Sequence, residues 1–262
     1  MFREQPEGRG DGANRLLAGY LAFTGGFVNS AGFILIGSFT SHVTGNVGRL
    51  ANDIASGHLD AAGAAVVMIT AFFVGAFLAS MTIESNFFGH GAQAYGVALT
   101  MEATLLLVFT LVARLTVEAH PRLHDMEAAI LCCAMGMQNS LVTRISGAVV
   151  RTTHLTGVFT DLGIEAARWF RWWRKEMSAR VGVPLAFGRN PAERPSVVKL
   201  ALLATIANFF MLGAIAGSAA AVWLRHGAMV LAGLAVAGCG AFAFWSARRD
   251  RALPLSGPDT RR

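Results

Sequence analysis

The chain has 262 residues, 54% of them hydrophobic and only 15% charged, with a formal net charge of +6. Soluble domains carry about 25% charged residues, so there are too few polar side chains to coat a water-facing surface. The balance excludes an ordinary globular enzyme, a disordered chain and a disulfide scaffold, and leaves an integral membrane protein.

Taken in chain order, residues 1–14 form a polar N-terminal tail. A bilayer core about 30 Å thick takes roughly 20 apolar residues per helix. Helices are required there, because an open strand would leave backbone amides unpaired in hydrocarbon. The stretch from Arg15 to Arg49 holds no Asp, Glu, Lys or Arg and predicts a first span over about 16–39. Further spans follow over about 61–83, 91–115, 126–150, 199–224 and 228–247. The first is too long for the core of a secretory signal and is kept as a membrane helix. Between spans four and five, Arg168 to Lys175 interleaves aromatics with cations and reads as a stretch held at the headgroups. Beyond it, Pro184, Pro191 and Pro195 with Gly182 and Gly188 predict an irregular loop, the whole insertion covering about 168–198. Residues 249–262 form a basic C-terminal tail. Everything from 15 to 248 is one membrane domain.

Lys and Arg set the orientation. In a six-span arrangement, 16 of the 22 fall on the side of both tails and the 168–199 segment, and four on the other. By the positive-inside rule both termini are cytoplasmic. The basic residues flank spans, so inner-leaflet lipids rather than nucleic acid explain the high charge. Cys132, Cys133 and Cys239 all fall inside spans and read as small apolar fillers.

The two halves resemble each other. Thr40-Ser41-His42-Val43-Thr44-Gly45 matches Thr152-Thr153-His154-Leu155-Thr156-Gly157, and upstream of each stands Gly-x-x-Asn-Ser, at 26–30 and 136–140. Asp53 and Glu165 follow at the same offset from the histidine. Phe72-Phe73-x-Gly75-Ala76 corresponds to Phe209-Phe210-x-x-Gly213-Ala214 with one residue inserted. Repeat one is therefore 15–116 and repeat two 126–248. Three spans per repeat force the second copy to insert upside down, the layout of many secondary transporters. The expected fold is all-α, six transmembrane helices as two inverted three-helix repeats with broken first helices.

The Asn-Ser element, the His-x-Thr-Gly-Asn run at 42–46, six spans and a basic last loop resemble the YoaK-like family, bacterial inner-membrane proteins sharing one domain of unknown function. The resemblance covers roughly 15–248. It implies a multi-pass protein of the bacterial cytoplasmic membrane and brings no catalytic or binding roles with it.

Candidate chemistry comes from polar residues in apolar surroundings. Gly25, Gly26, Gly32 and Gly37 weaken the first span, and Thr44 is the expected N-cap of a new amphipathic helix reaching about Ala55, with Thr156 its counterpart. Such breaks survive only buried in protein or lining a wet cavity. Asn29, His42, Thr44, Asn139, His154 and Thr156 are thus candidates for substrate binding or gating. A shared cavity competes with local caps, because straight spans would hold the two motifs some 30 Å apart, near opposite faces. Glu102, near the centre of span three, costs a few kcal/mol there and is the proton-coupling candidate. Its alternative is a structural ion pair with Arg144, Arg151 or a histidine. Asn29 and Asn139 also fit as packing glue between helices, and the rows Ala71/Gly75/Ala79 and Gly213/Gly217 as close packing faces. His58, His90, His120, His124 and His226 fall in loops or at span ends. No metal site, catalytic residue or cofactor is expected.

The expected function is a small-molecule transporter or permease with Glu102 as its coupling group, whose partners are the lipid bilayer, an unknown small molecule and, by analogy, a second copy in a homodimer. Two other classes compete: a non-transporting assembly or sensory protein docking through 168–199, and an intramembrane lipid-acting enzyme using His42 or His154 as acid–base.

Overall fold

The computed structural model describes residues 11–85, 87–89, 91–115, 121–145, 155–181 and 195–252. These form eight helices and, among the described residues, no strand: α1 Asp11–Ile36, α2 Val43–Ala55, α3 Leu59–Glu84, α4 Ala92–Leu115, α5 Pro121–Ile145, α6 Leu155–Val181, α7 Val197–Leu224 and α8 Gly227–Ala252. Parts of α1, α3, α4, α7 and α8 are long and apolar enough to cross a membrane, over Arg15–Ile36, Leu59–Glu84, Ala92–Arg114, Val197–Leu224 and Gly227–Arg249. The chain is a multi-pass helical membrane protein. Their outward faces carry large apolar side chains such as Phe73, Phe77, Ile215, Val222 and Leu234, as lipid contact requires.

The fourth expected span, 126–150, falls largely on α5, Pro121–Ile145, which is not among the five apolar helices. It is wrapped by other helices instead. Leu131, Cys132, Met135, Met137, Gln138 and Leu141 are all buried, and a helix enclosed by protein can carry Glu127, Gln138 and Asn139 without facing lipid.

Glycine sets the packing. A Cβ on Gly26 would overlap the Phe210 carbonyl, one on Gly213 the Phe23 carbonyl, and one on Gly217 the Phe27 carbonyl. Only glycine lets α1 and α7 approach so closely, backbone on backbone. The α3–α5 pair repeats the device, with Gly136 against the Phe72 carbonyl and Gly75 against that of Cys133. Gly26 of one pair therefore corresponds to Gly136 of the other, and Phe210 to Phe72. This corrects the sequence alignment: Phe72 matches Phe210 and Gly75 matches Gly213 with no inserted residue.

The contacts also fix direction. Along α1 and α7, Gly19 meets Thr205 and Phe209, and Phe27 meets Gly217, so the two run parallel. Along α3 and α5, Ser80 bonds Ser140 at 2.8 Å and Arg144 pairs with Glu84, so these too are parallel. In α4 and α8, a Cβ on Gly96 would lie 3.1 Å from the Phe244 ring and one on Gly233 3.3 Å from Leu107, which makes them antiparallel. α2 packs on α3, and α6 on α7.

Two further expectations change. α1 is unbroken through Gly25 and Gly26, because their place is a packed interface rather than a kink. The break falls after Ile36, where Gly37 at φ +72 closes the helix with its amide on the Phe33 carbonyl at 2.9 Å. Residues 168–181, expected to be loop, continue α6 as helix; the rest of that insertion, 182–194, lies outside the described residues.

Candidate functional site

The α1–α2 junction builds one polar cluster. Asn29 projects from the last turns of α1, where its Oδ1 accepts from the Ser41 amide at 3.3 Å and the Ser41 hydroxyl at 2.8 Å. Phe33 and Phe39 stack at 4.3 Å, and Arg49 donates to the Ser38 hydroxyl at 3.1 Å. Together these fold the 37–42 segment back onto the helix it leaves. α2 begins at Val43 with His42, not Thr44, at the N-cap, and His42 makes no side-chain cap bond. Both His42 and Thr44 are exposed, while Thr40 and Asn46 are buried.

In the second half Thr156 is exposed inside α6, which starts one residue earlier at Leu155, and its carbonyl accepts from the Thr160 hydroxyl at 2.8 Å. His154 and Arg151 lie outside the described residues. α6 is anchored by Glu165, 1% exposed, which accepts from Lys199 Nζ at 2.9 Å and from Arg168 at 2.8 Å. The hydrogen bond from Lys199, with the Lys199 and Arg168 charges, holds the Glu165 carboxyl below the usual carboxylate range. Lys199 opens α7, whereas His42 follows the far end of α1, and α1 runs parallel to α7. The two polar segments are thus anchored at opposite ends of the bundle. Asn139, like Asn29, lies in the last turns of its helix, with its carbonyl accepting from the Thr143 hydroxyl at 2.8 Å.

Glu102 is the residue that most needs an explanation. It lies in the buried face of α4 with Leu99, Leu106 and Phe109, is 1% exposed, and its Oε2 has no hydrogen-bond partner among the described residues. Tyr20 of α1 and Cys239 of α8 come within electrostatic range of it, and the Tyr20 hydroxyl donates to the Ala235 carbonyl at 2.6 Å. Of the expected structural partners, Arg144 sits at the last turn of α5 and pairs with Glu84, and Arg151 lies outside the described residues.

Sequence reasoning passed over Gln138. It is 1% exposed, and neither its amide nitrogen nor its oxygen has a partner among the described residues. The signal was its position on the same helical face as Leu131, Met135 and Val142, inside the Gly-x-x-Asn-Ser element, where the first copy has Val28. His226, expected in a loop or at a span end, is only partly exposed. It sits in the tight α7–α8 turn beside Arg225 at φ 51, and burial lowers its pKa first.

Among the described residues no group of three His, Cys, Asp or Glu could hold a metal ion. Glu102 is a buried carboxyl on an apolar helix face, suited to binding a proton or a cation.

Residues 17–243 match the family described as a protein of unknown function, DUF1275. The chain belongs to this family. The match takes in α2 through α7 entire and most of α1 and α8, so Glu102, Gln138 and both polar segments lie within the family's own domain. Comparison with curated proteins and with solved structures finds no match.

Proposed function

We propose that the chain is a small-molecule transporter or permease of the bacterial cytoplasmic membrane, built as two inverted three-helix repeats, with Glu102 as its proton-coupling carboxyl. The repeat is supported by the exchange of contacts, Gly26 with Phe210 against Gly136 with Phe72. A chain that crosses six times must point spans one, three and five the same way. Parallel α1 and α7, parallel α3 and α5, and antiparallel α4 and α8 meet that condition, with α2 and α6 as non-spanning helices at the two ends. In this reading Asn29, His42 and Thr44 gate one end, and Asn139, His154 and Thr156 the other. Arg144 and Arg151 are ion-pair residues near the second gate. Kinship with the YoaK-like proteins and cytoplasmic termini belong to the same reading.

The observation that carries it is Glu102, a buried carboxyl at the centre of an apolar span whose Oε2 has no hydrogen-bond partner among the described residues. A buried charge of this kind must be neutralised by a proton or a cation. The test is proteoliposomes with a trapped pH dye, exposed to a panel of metabolites. Wild type acidifies or alkalises the lumen with at least one solute, and Glu102→Gln abolishes that proton movement. No proton or solute flux across the panel overturns the reading.

A second reading, a docking or sensory protein, is favoured by α6, whose Phe170 and Trp173 are exposed beside Arg171 and Arg174. Deleting 168–181 would then remove a partner while leaving flux intact.

A further inference from the structure

The α1–α7 pair is a wedge. Gly12, Gly19 and Gly26 follow one another along one face of α1 at seven-residue intervals, about two turns each. At Gly26 the helices meet backbone on backbone, against the Phe210 carbonyl. At Gly19 the nearest atoms belong to side chains, the Thr205 methyl 3.3 Å from an added Cβ and the Phe209 ring 3.4 Å from it. At Gly12 nothing lies within 4 Å. The two helices therefore part toward their starts, and between them runs a groove of about 420 Å³ walled by Leu16, Tyr20, Phe23 and Phe209. From Arg15 to Phe23 it follows about 12 Å of α1, most of one leaflet of a bilayer core about 30 Å thick.

The walls are almost wholly apolar because the hydroxyls along them are engaged elsewhere. Thr205 donates to the Ala201 carbonyl of its own helix at 2.7 Å, and Tyr20 donates to the Ala235 carbonyl of α8 at 2.6 Å. Arg15 is the exception. It lines the groove, is exposed, and stands at the first residue of the apolar span Arg15–Ile36, the level of the lipid headgroups. It makes no hydrogen bond or ion pair among the described residues. Lys199, the cation that opens α7, is bonded to Glu165 at 2.9 Å, so Arg15 is left with its charge uncompensated.

We propose that this groove holds one anionic glycerophospholipid, its phosphate on Arg15 and an acyl chain along Leu16, Tyr20 and Phe209. A guanidinium offers a planar fork of N–H donors that matches two phosphate oxygens, and at the membrane boundary the phosphate at hand is that of a headgroup. With no acid paired to Arg15, a lipid of net negative charge is favoured over a zwitterionic one. The wedge supplies the rest of the recognition: its aromatic and aliphatic walls suit a hydrocarbon chain, which a water-soluble phosphate ester lacks. A lipid lodged there joins α1 to α7 at the end where their backbones no longer touch. The inference goes beyond the transport reading and is independent of it, since it needs only that the chain crosses a bilayer.

The test is native mass spectrometry of the purified, delipidated full-length protein, titrated with phosphatidylglycerol or with phosphatidylcholine of the same chains. Wild type takes up one phosphatidylglycerol per chain ahead of any others and prefers it by about fivefold, the contribution of one basic side chain near an anionic surface. Arg15→Gln binds the two lipids equally, and Arg15→Lys keeps most of the preference. Phe209→Ala weakens both lipids and leaves the preference intact. Arg249→Gln, which removes an exposed cation stacked on Trp245 outside the groove, changes neither. Equal loss in Arg249→Gln and Arg15→Gln would reduce the effect to general surface attraction and overturn the proposal, as would a wild type indifferent to headgroup charge. Displacement of the lipid by sn-glycerol 3-phosphate alone would make the site one for a soluble phosphate and overturn it too. A dimeric wild type that retains no lipid would give the groove to a second copy instead. Should Phe209→Ala fail to fold, the two substitutions of exposed Arg15 decide the matter.

Discussion

Asn29 illustrates how one side chain decides where a membrane helix stops. Its oxygen holds the Ser41 amide and hydroxyl, so Asn29→Leu, nearly isosteric, removes two hydrogen bonds of about 1 kcal/mol each. Hydrogen exchange of residues 38–46 should then quicken by about tenfold or more while α7 stays protected. Unchanged exchange would show that the Phe33–Phe39 stack alone holds the turn. Glu165 makes a complementary case at the other end. Its carboxyl is held low by Lys199 and Arg168, and a depressed carboxylate stabilises the fold above its unfolded value and loses that contribution as pH falls through the lower folded one. The protection of α6 should accordingly be flat from pH 6 to 8 and decline only below about pH 4. Lys199→Met should loosen α6 throughout the neutral range. A wild-type decline between pH 6 and 7 would point instead to a histidine.

At the scale of elements, charge spacing made the spans legible. The expected 61–83, 91–115 and 199–224 lie within two residues of α3, α4 and α7, because each is bounded by residues too polar to enter hydrocarbon. Glycine was harder to read, since a helix-weakening residue and a close-packing residue look the same in sequence. Gly25 and Gly26 suggested a break, yet Gly26 is where α1 meets the Phe210 carbonyl. Likewise α6 hid its length, because its aromatics and cations suit an interface helix and a loop equally well. Gln138 was invisible for another reason: one polar residue in an apolar helix reveals nothing about whether its partners exist. These assignments separate by mutation. Gly26→Leu and Gly136→Leu each force a side chain into a backbone, and overpacking of that kind costs typically 1–3 kcal/mol or more, enough to lower the melting temperature sharply. Gly63, with nothing within 4 Å of an added Cβ, is the control: Gly63→Ala should raise stability by about 0.5–1 kcal/mol. If all three variants melt alike, helix propensity rather than contact governs these glycines.

For the whole molecule, the decisive quantity is which end of the bundle faces which compartment. α2 packs on α3 after the end of α1, and α6 is pinned by Glu165 to the start of α7. With α1 and α7 parallel, these two amphipathic helices belong to opposite membrane faces. In the proposed orientation the basic side chains of α6, Arg168, Arg171, Arg174 and Lys175, face the cytoplasm, as the positive-inside rule expects. The same assignment puts α2, which carries one basic residue, Arg49, on the other side. Single exposed cysteines report this directly, through Ser56→Cys at the C-cap of α2 and Lys175→Cys on α6, with the native Cys132, Cys133 and Cys239 replaced by alanine. In intact cells a membrane-impermeant maleimide should label the first and not the second, and permeabilisation should expose both. Labelling of the two from one side would mean that α2 and α6 share a face. An inverted pair of repeats cannot produce that arrangement, and the gates proposed at the two ends would then have to be a single polar surface.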